Sequence, residues 1–263
     1  MGAEHTPVKV ERKGAVQWIT IDREERRNAI NESVIAGISH GLRDAEADPD
    51  CRAIVLTGAG DRAFCAGADL NPNTAGKAFE YDFSNPAHYV VNLFRQADAC
   101  NLPLVARVNG HVRAGGMGLL CMCDMAVAAD TATFGTPESA IGLFPMMILP
   151  YMMRVMPRRK LLEMCITGEA FSAAEALEMD LLNYVVPAAE LDAKTAWLLE
   201  RVVNKSPTAV KLGKYAFHAA QDMALREAFA FTESFIRQVS MTQDAQEGFR
   251  SFAEKRPPQW TGR

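Results

Sequence analysis

Apolar positions along the chain alternate with polar ones in some stretches and recur at helical spacing in others. Runs 8–11 and 15–21 predict two short strands, and Gly14 between them is typical of a hairpin turn. Over 31–48, apolar residues recur three and four positions apart, which predicts a helix. The continuous apolar run 53–57 predicts a buried strand. The pattern therefore predicts a strand–helix–strand unit at the start of the chain.

Similar units follow in the middle of the chain, and helices follow at its end. The next predicted elements are a helix at 88–97, a strand at 104–108, a helix at 116–123 and a strand at 125–129. After these, the spacing predicts helices at 191–203, 208–220, 225–239 and 243–254, with Pro207 as the clearest break. Repeated strand–loop–helix units are typical of an α/β fold with mostly parallel strands. We therefore predict an α/β core followed by a helical C-terminal part.

The composition is typical of a globular protein. Hydrophobic residues make up 49% and charged residues 23% of the 263 residues. A net charge of −4 argues against a general nucleic-acid-binding surface. The N-terminal residues lack a basic and apolar leader, and the most apolar stretch, 141–153, is too short to cross a bilayer. We therefore predict a cytoplasmic protein that binds neither nucleic acid nor membranes.

The six cysteines are spaced neither as a disulfide framework nor as metal-binding Cys-x-x-Cys pairs. This spacing favours a reducing compartment. Cys121 and Cys123 could in principle bind a metal, but both lie in an apolar run, which favours buried thiols. We predict no metal site.

Two loops rich in glycine and alanine, 64–70 and 109–118, follow predicted strands. Such residues let the backbone approach a ligand and direct N–H groups at it, so the two loops could hold one carbonyl oxygen between them. Close helix–sheet packing is the structural alternative for Gly115 and Gly116. Neither loop matches the Gly-x-Gly-x-x-Gly fingerprint, so a dinucleotide-dependent dehydrogenase is the weaker hypothesis.

Glu138 follows the second loop by twenty residues and is a candidate acid. Thr136 and Pro137 before it are typical of a helix start, where a carboxylate is favoured and its pKa is lowered. An apolar pocket would instead raise that pKa. Its walls could come from neighbouring apolar residues, which are Ile141, Leu143, Phe144, Met146 and Met147. Both interpretations stay open at this point.

Taken in order, several short motifs resemble the enoyl-CoA hydratase/isomerase family, also called the crotonase superfamily. The matching stretches are 26–30, 64–70, 109–124, 129–138, 167–176 and 247–256. The resemblance implies a crotonase-like spiral of ββα units with a helical C-terminal trimerisation region. It further implies an acyl-CoA-binding core over 1–200, a helical oligomerisation region over 201–263, and a homotrimer or dimer of trimers.

The resemblance also assigns residues to roles. The N–H groups of Ala68 and Gly115 would hold the thioester oxygen of an acyl-CoA, and Glu138 would be the general acid/base. Coenzyme A would enter as part of the substrate, with no separate cofactor. The residues implied in binding it are Arg26 at the entrance, Ala66, Asp69 and Leu70 near the adenine, and Phe252 and Lys255 reaching a neighbouring subunit's coenzyme A.

Gly118 is the main departure from the family pattern, because hydratases commonly carry a glutamate there. Two carboxylates can divide the work of adding water, whereas one suffices to move a proton between C2 and C4. The sequence thus predicts hydration or double-bond isomerisation of an enoyl-CoA with Glu138 as the sole matching acid. The alternative is an acyl-CoA-binding protein with little or no catalysis.

Other acids and one unusual cation bear on this choice. Asp69, Glu80, Asp82 or a water could replace the missing carboxylate. Arg113 stands where the family typically has a small or apolar residue. It would pair with an acid, or contact a substrate carboxylate or a coenzyme A phosphate.

Overall fold

The computed structural model describes residues 6–69, 83 and 87–263. Its strands are β1 (Val8–Lys13), β2 (Val16–Ile21), β3 (Ala53–Gly58), β4 (Ala63–Cys65), β5 (Leu104–Val108), β6 (His111–Arg113), β7 (Met125–Ala129), β8 (Thr133–Gly135), β9 (Phe171–Ser172) and β10 (Tyr184–Val186). Its α-helices are α1 (Glu32–Ala47), α2 (Tyr89–Ala99), α3 (Gly115–Cys121), α4 (Leu149–Val155), α5 (Arg158–Thr167), α6 (Ala173–Glu178), α7 (Leu191–Val203), α8 (Pro207–Gln221), α9 (Leu225–Ser240) and α10 (Gln243–Ala253).

The strands form two sheets. The larger sheet has the order β1-β2-β3-β5-β7-β10, and all its neighbours are parallel except β1 and β2, which form the predicted hairpin. The smaller sheet has the order β4-β6-β8-β9, in which only β9 is antiparallel. Each long strand β3, β5 and β7 is followed by a short one, β4, β6 and β8, in the other sheet. The predicted α/β spiral of ββα units is confirmed.

Helix α1 shows how the sequence builds this core. The Asn31 side chain accepts a hydrogen bond from the Val34 N–H at 2.9 Å, which caps the first turn. Behind the cap, the apolar face of α1 is buried against β1 and β2, and Ile38 and Leu42 are fully inaccessible. Burial of each such side chain stabilises the fold by about 1.5–3 kcal/mol. The apolar face of α1 and the buried side chains of β1 and β2 therefore form one core.

The four predicted C-terminal helices form with nearly the predicted bounds, as α7 to α10. Helix α7 packs on the large sheet through Leu191, Leu198 and Leu199, whereas α9 has no buried residue. The predicted division between residues 200 and 201 falls inside α7, and the division itself stays a prediction, as does trimerisation. No helix in the described part of the chain combines the length and the apolarity needed to span a bilayer.

Candidate active site

The first loop rich in glycine and alanine is held in place by backbone hydrogen bonds to Ile30. Ile30 pairs with Ala68 in a parallel bridge, in which its N–H donates to the Gly67 carbonyl at 2.7 Å and its carbonyl accepts from Asp69 at 2.8 Å. Gly67 has φ +88°, which is costly for any residue with a side chain. The bridge therefore fixes the loop and its turn but does not use the Ala68 N–H.

The second loop contains a strained residue immediately before α3. Ala114 has φ +49° and ψ −125°, a conformation that a residue with a side chain rarely adopts. It is pinned from both sides, since its N–H donates to the Gly135 carbonyl at 2.9 Å and its carbonyl accepts from Met117 at 2.8 Å. This strain sets the direction of the next peptide, which carries the Gly115 N–H.

The two loops meet closely. A Cβ built on Gly67 would lie 3.4 Å from the Gly115 nitrogen, and one built on Gly115 would lie 3.9 Å from the Ala68 nitrogen. Within the described residues, neither the Ala68 nor the Gly115 N–H donates to another group. Two free backbone donors beside each other are suited to one shared oxygen acceptor.

Two buried amide side chains hold the polypeptide that supports these loops. Asn28, at φ +57°, donates to the carbonyls of Ala59 at 2.9 Å and Ala63 at 2.7 Å. Asn109 accepts from the Gly58 N–H at 3.1 Å and donates to Ala63 at 3.2 Å. Buried amides with every partner satisfied rigidify a structure. They make the start of β4, and hence the first loop, a fixed platform.

Glu138 lies in a short 3₁₀ turn, Pro137–Ile141, that follows β8. The predicted helix start is wrong in detail, because the turn does not continue as an α-helix and Thr136 does not cap it. The Thr136 hydroxyl instead points at Cys165, at 3.6 Å. A turn this short has only a weak N-terminal dipole, so the dipole has little effect on the pKa of Glu138.

Burial controls the Glu138 carboxyl group. It raises the pKa of Glu138 above its ordinary value, opposed by a smaller contribution from the residue's own N–H. Its Oε2 atom is fully buried and has no hydrogen-bond partner among the described residues. An orphaned carboxylate oxygen with a raised pKa is a candidate acid/base.

The expected apolar wall around Glu138 is only partly core. Ile141, Leu143 and Met146 are exposed, at 60%, 43% and 67%, whereas Phe144 and Met147 are half-buried. Exposed apolar side chains beside a buried acid are suited to contact with an apolar ligand.

Gly118 leaves no space for a side chain. A Cβ there would lie 2.3 Å from Ile148 Cγ2 and 2.6 Å from Phe94 Cζ. The position of the usual first glutamate is therefore filled by hydrocarbon from α2 and from the residue before α4.

The other acids proposed as replacements differ in their status. The Asp69 carboxylate is bound by the Arg23 guanidinium at 2.7 Å, and both side chains are largely buried. That ion pair occupies the carboxylate. Glu80 and Asp82 lie outside the described residues, as does Leu70. Among the residues that the structure does describe, no three His, Cys, Asp or Glu side chains cluster as a metal site would require.

Arg113 is half-buried and makes no ion pair with any described carboxylate. Its guanidinium donates to the Thr133 carbonyl at 2.6 Å and to the Thr133 hydroxyl at 2.5 Å. It lines a cavity of about 450 Å³ with Arg27, Arg62 and His111, beside Ala66. Burial, then Arg113 and Arg27, lower the pKa of His111. Asp61 also lines the cavity, so three arginines face one carboxylate and the lining is net positive.

The remaining predicted binding residues lie at the surface. Arg26 ends a 3₁₀ turn next to Arg27, whose carbonyl accepts from the Ala66 N–H at 3.1 Å. Phe252 is 87% exposed near the end of α10, and Lys255 follows the helix with φ +54°. The structure therefore brings Ala66, Ala68 and Gly115 together, and it joins neither Phe252 nor Lys255 to them.

Comparison with known proteins bears on what this site does. The sequence profile of the enoyl-CoA hydratase/isomerase family matches residues 11–263. The chain belongs to this family. It is similar to the mitochondrial enoyl-CoA hydratase domain-containing protein 3 of Xenopus laevis, at 32% identity over 261 residues, covering 98% of this chain and 87% of that protein.

Two further similar proteins agree with this assignment. The carnitinyl-CoA dehydratase of Proteus mirabilis is 33% identical over 259 residues, which cover 95% of this chain and 97% of that protein. The crystal structure of an enoyl-CoA hydratase from Mycobacterium smegmatis superposes with a TM-score of 0.90 at 29% identity, covering 97% of this chain and 99% of that chain. The crotonase fold and family predicted from the motifs are confirmed.

Several residues that shape the candidate site have no role in the predictions made from the sequence. Asn28 and Asn109 both lie inside motifs that match the family, and for Asn109 the position of a polar amide directly after an apolar strand is a signal in the sequence. Phe94 and Ile148 had no such signal, because only the folded chain brings α2 and the segment before α4 to Gly118.

Proposed function

We propose that this chain acts on an enoyl-CoA thioester, by hydration or double-bond isomerisation. The observation that carries the proposal is the pair of N–H groups at Ala68 and Gly115, which have no acceptor in the described part of the chain and lie beside a strained Ala114. Donors placed in advance at a developing oxyanion are worth about 3 kcal/mol each in a well-built site. A thioester oxygen between them would gain negative charge as the enolate forms.

Glu138 is the proposed general acid/base. Its buried and unpartnered Oε2 supports this role, since a carboxyl with a raised pKa holds a proton more readily at neutral pH. The thioester acidifies the α-carbon, so the proposal needs coenzyme A only as part of the substrate, with no metal or redox group.

The coenzyme A moiety would pass along the first loop. Ala66, Asp69 and Leu70 are proposed near the adenine and Arg26 at the entrance. The cavity lined by Arg27, Arg62 and Arg113, whose positive charge exceeds that of the one lining carboxylate, supports a phosphate-bearing ligand on this side of the chain. Arg113 would then serve the phosphate end rather than pair with an acid.

Assembly into a trimer or a dimer of trimers is part of the proposal. Apolar side chains of α9, including Leu225, Phe229 and Ile236, are 60–70% exposed in the single chain. Such a face is typical of a buried contact between copies. In the assembly, Phe252 and Lys255 would reach the coenzyme A of a neighbouring subunit.

Hydrogen–deuterium exchange tests the proposed chemistry. The native protein is incubated with 2-enoyl-CoA and 3-enoyl-CoA in heavy water, and deuterium at C2 or C4 is measured by mass spectrometry. We expect exchange, and we expect Glu138→Gln to reduce its rate about 10²–10⁴-fold. The exposed Glu169→Gln is the matched control and should leave it unchanged.

Two results would count against the proposal in different ways. Exchange that persists in Glu138→Gln would remove this residue from the mechanism. Binding of the thioesters without exchange by the native protein would favour the alternative, an acyl-CoA-binding protein, which Gly118 supports.

A further inference from the structure

The space beside Gly118 is filled by two apolar side chains. Phe94 and Ile148 are only 5% and 4% exposed, and both lie closer to a Cβ at Gly118 than atoms can approach without a shift. Gly118 is three residues after Gly115 on α3, so it lies one helical turn from the free N–H. Hydrocarbon therefore stands one turn from the proposed thioester site.

These two side chains are held in place by their neighbours. The Phe94 ring packs edge-on against Tyr151, with ring centroids 5.5 Å apart, and its carbonyl accepts from the Tyr151 hydroxyl at 3.0 Å. Ile148 immediately precedes α4, which packs against α3. Both side chains are buried in a close-packed core, where a change of rotamer disturbs the neighbouring side chains.

The arrangement has a consequence for water. A water held in a site needs two to four polar partners, and a water that attacks C3 needs a base to orient it. The three atoms nearest to a Cβ at Gly118 are all carbon atoms of Phe94 and Ile148, so none of them can bind a water. The Asp69 carboxylate is bound by Arg23, and Glu138 Oε2 is a buried carboxylate oxygen without a partner among the described residues.

We propose that Phe94 and Ile148 select isomerisation over hydration by excluding both the second carboxylate and the water that it would orient. This inference rests on the proposed function. The Glu138 carboxylate would take a proton from C2 of a 3-enoyl-CoA, and the C–H electrons would form the dienolate whose oxygen lies between the two N–H groups. The same carboxyl would return the proton to C4 as the thioester carbonyl reforms. The double bond then lies between C2 and C3, and no atom is gained or lost.

The product ratio of the native protein is the first test. Straight-chain 3-enoyl-CoA and 2-enoyl-CoA of four, six and ten carbons are incubated in ¹⁸O-labelled water. We expect conversion of 3-enoyl-CoA to 2-enoyl-CoA to exceed formation of labelled 3-hydroxyacyl-CoA about a hundredfold or more. Hydration that equals or exceeds isomerisation and depends on Glu138 would overturn the inference while the proposed function stands. Neither reaction and no deuterium exchange across the panel would overturn both.

A designed variant is the second test. Phe94→Ala, Ile148→Ala and Gly118→Glu are combined, with Gly118→Gln in the same background as the matched control. We expect the glutamate variant to hydrate 2-enoyl-CoA at least about tenfold faster than the glutamine control, and Gly118→Glu alone to gain nothing. A folded triple variant no faster than its control would contradict the inference. If the variants do not fold, as circular dichroism would show, the native product ratio decides.

Discussion

At the scale of single residues, Glu138 combines charge with burial, and the two oppose each other. Its Oε2 atom is inaccessible and unpaired among the described residues, so the charged form is poorly solvated. Burial accordingly raises its pKa. Burial of an ionisable group lowers the stability of the fold and makes the group more reactive.

This conflict predicts how stability depends on pH. A carboxyl whose pKa is raised on folding imposes no cost below its ordinary value of 4.5, and its full cost above the raised value. We therefore expect Glu138→Gln to raise the melting temperature at pH 7 to 8, with the gain vanishing as pH falls to about 4. Thermal unfolding across this range measures it. A gain that is the same at every pH would contradict the role of charge burial.

Arg113 carries a second prediction at this scale. If its guanidinium serves the phosphate end of coenzyme A, Arg113→Leu should raise KM for an enoyl-CoA roughly tenfold and leave kcat nearly unchanged. The N-acetylcysteamine thioester of the same acyl group lacks these phosphates, so Arg113→Leu should leave its KM unchanged. Arg43→Leu, an exposed arginine on α1, is the control variant. An equal loss with both thioesters would assign Arg113 a purely structural role through Thr133.

At the scale of elements, α3 can pack closely against its neighbours because Gly116 and Gly118 have no side chains. Gly116 would place a Cβ 2.5 Å from the Cys65 carbonyl oxygen, and Gly118 would place one 2.3 Å from Ile148. The helix thus packs against β4 and the segment before α4 through its bare backbone. This closeness brings Gly115 to the first loop.

Substitution by alanine should separate packing from helix propensity. We expect Gly118→Ala to lower the free energy of unfolding by about 1–3 kcal/mol, because a methyl group overfills the core. Gly213→Ala, in α8 with nothing within 4 Å, should raise it by up to about 1 kcal/mol. Urea unfolding of both variants checks the pair. A stabilising Gly118→Ala would mean that Phe94 and Ile148 yield easily.

Many of the helices and strands could be predicted from the sequence, but α4, α5, α6 and β10 were not, and neither were the contacts between elements that lie far apart in the chain. The periodicity gave α1, α7 and the C-terminal helices nearly to the residue, since local spacing encodes an amphipathic face. The short strands of the small sheet were missed because three residues carry too little pattern. The filling of Gly118 by Phe94 and Ile148 was also beyond reach, because it joins positions far apart in the chain.

At the scale of the whole molecule, the C-terminal helices expose an apolar face in a single chain. Helix α9 has no buried residue, and Phe229 and Ile236 are 64% and 60% exposed. Helix α8 has polar contacts with the core, such as the ion pair between Lys214 and Asp124 at 2.6 Å. Another copy of the chain would cover this apolar face.

We expect the native protein to sediment as a trimer or larger species of its 28.8 kDa chain. Phe229→Glu combined with Ile236→Glu should shift it to monomer, since buried charges oppose association. Glu233→Gln on the same helix is the control and should sediment like the native protein. A native protein that is monomeric at micromolar concentration in analytical ultracentrifugation would refute the proposed assembly.

The N–H groups of Ala68 and Gly115, which donate to no other group among the described residues, belong to the main chain. A point mutation at either position changes a side chain but keeps the N–H, unless the new residue is proline. The proposed acid Glu138, by contrast, acts through its side chain, which one codon change can remove. A gene for such a protein can therefore drift from one reaction to another while every ancestor along the route still polarises its substrate.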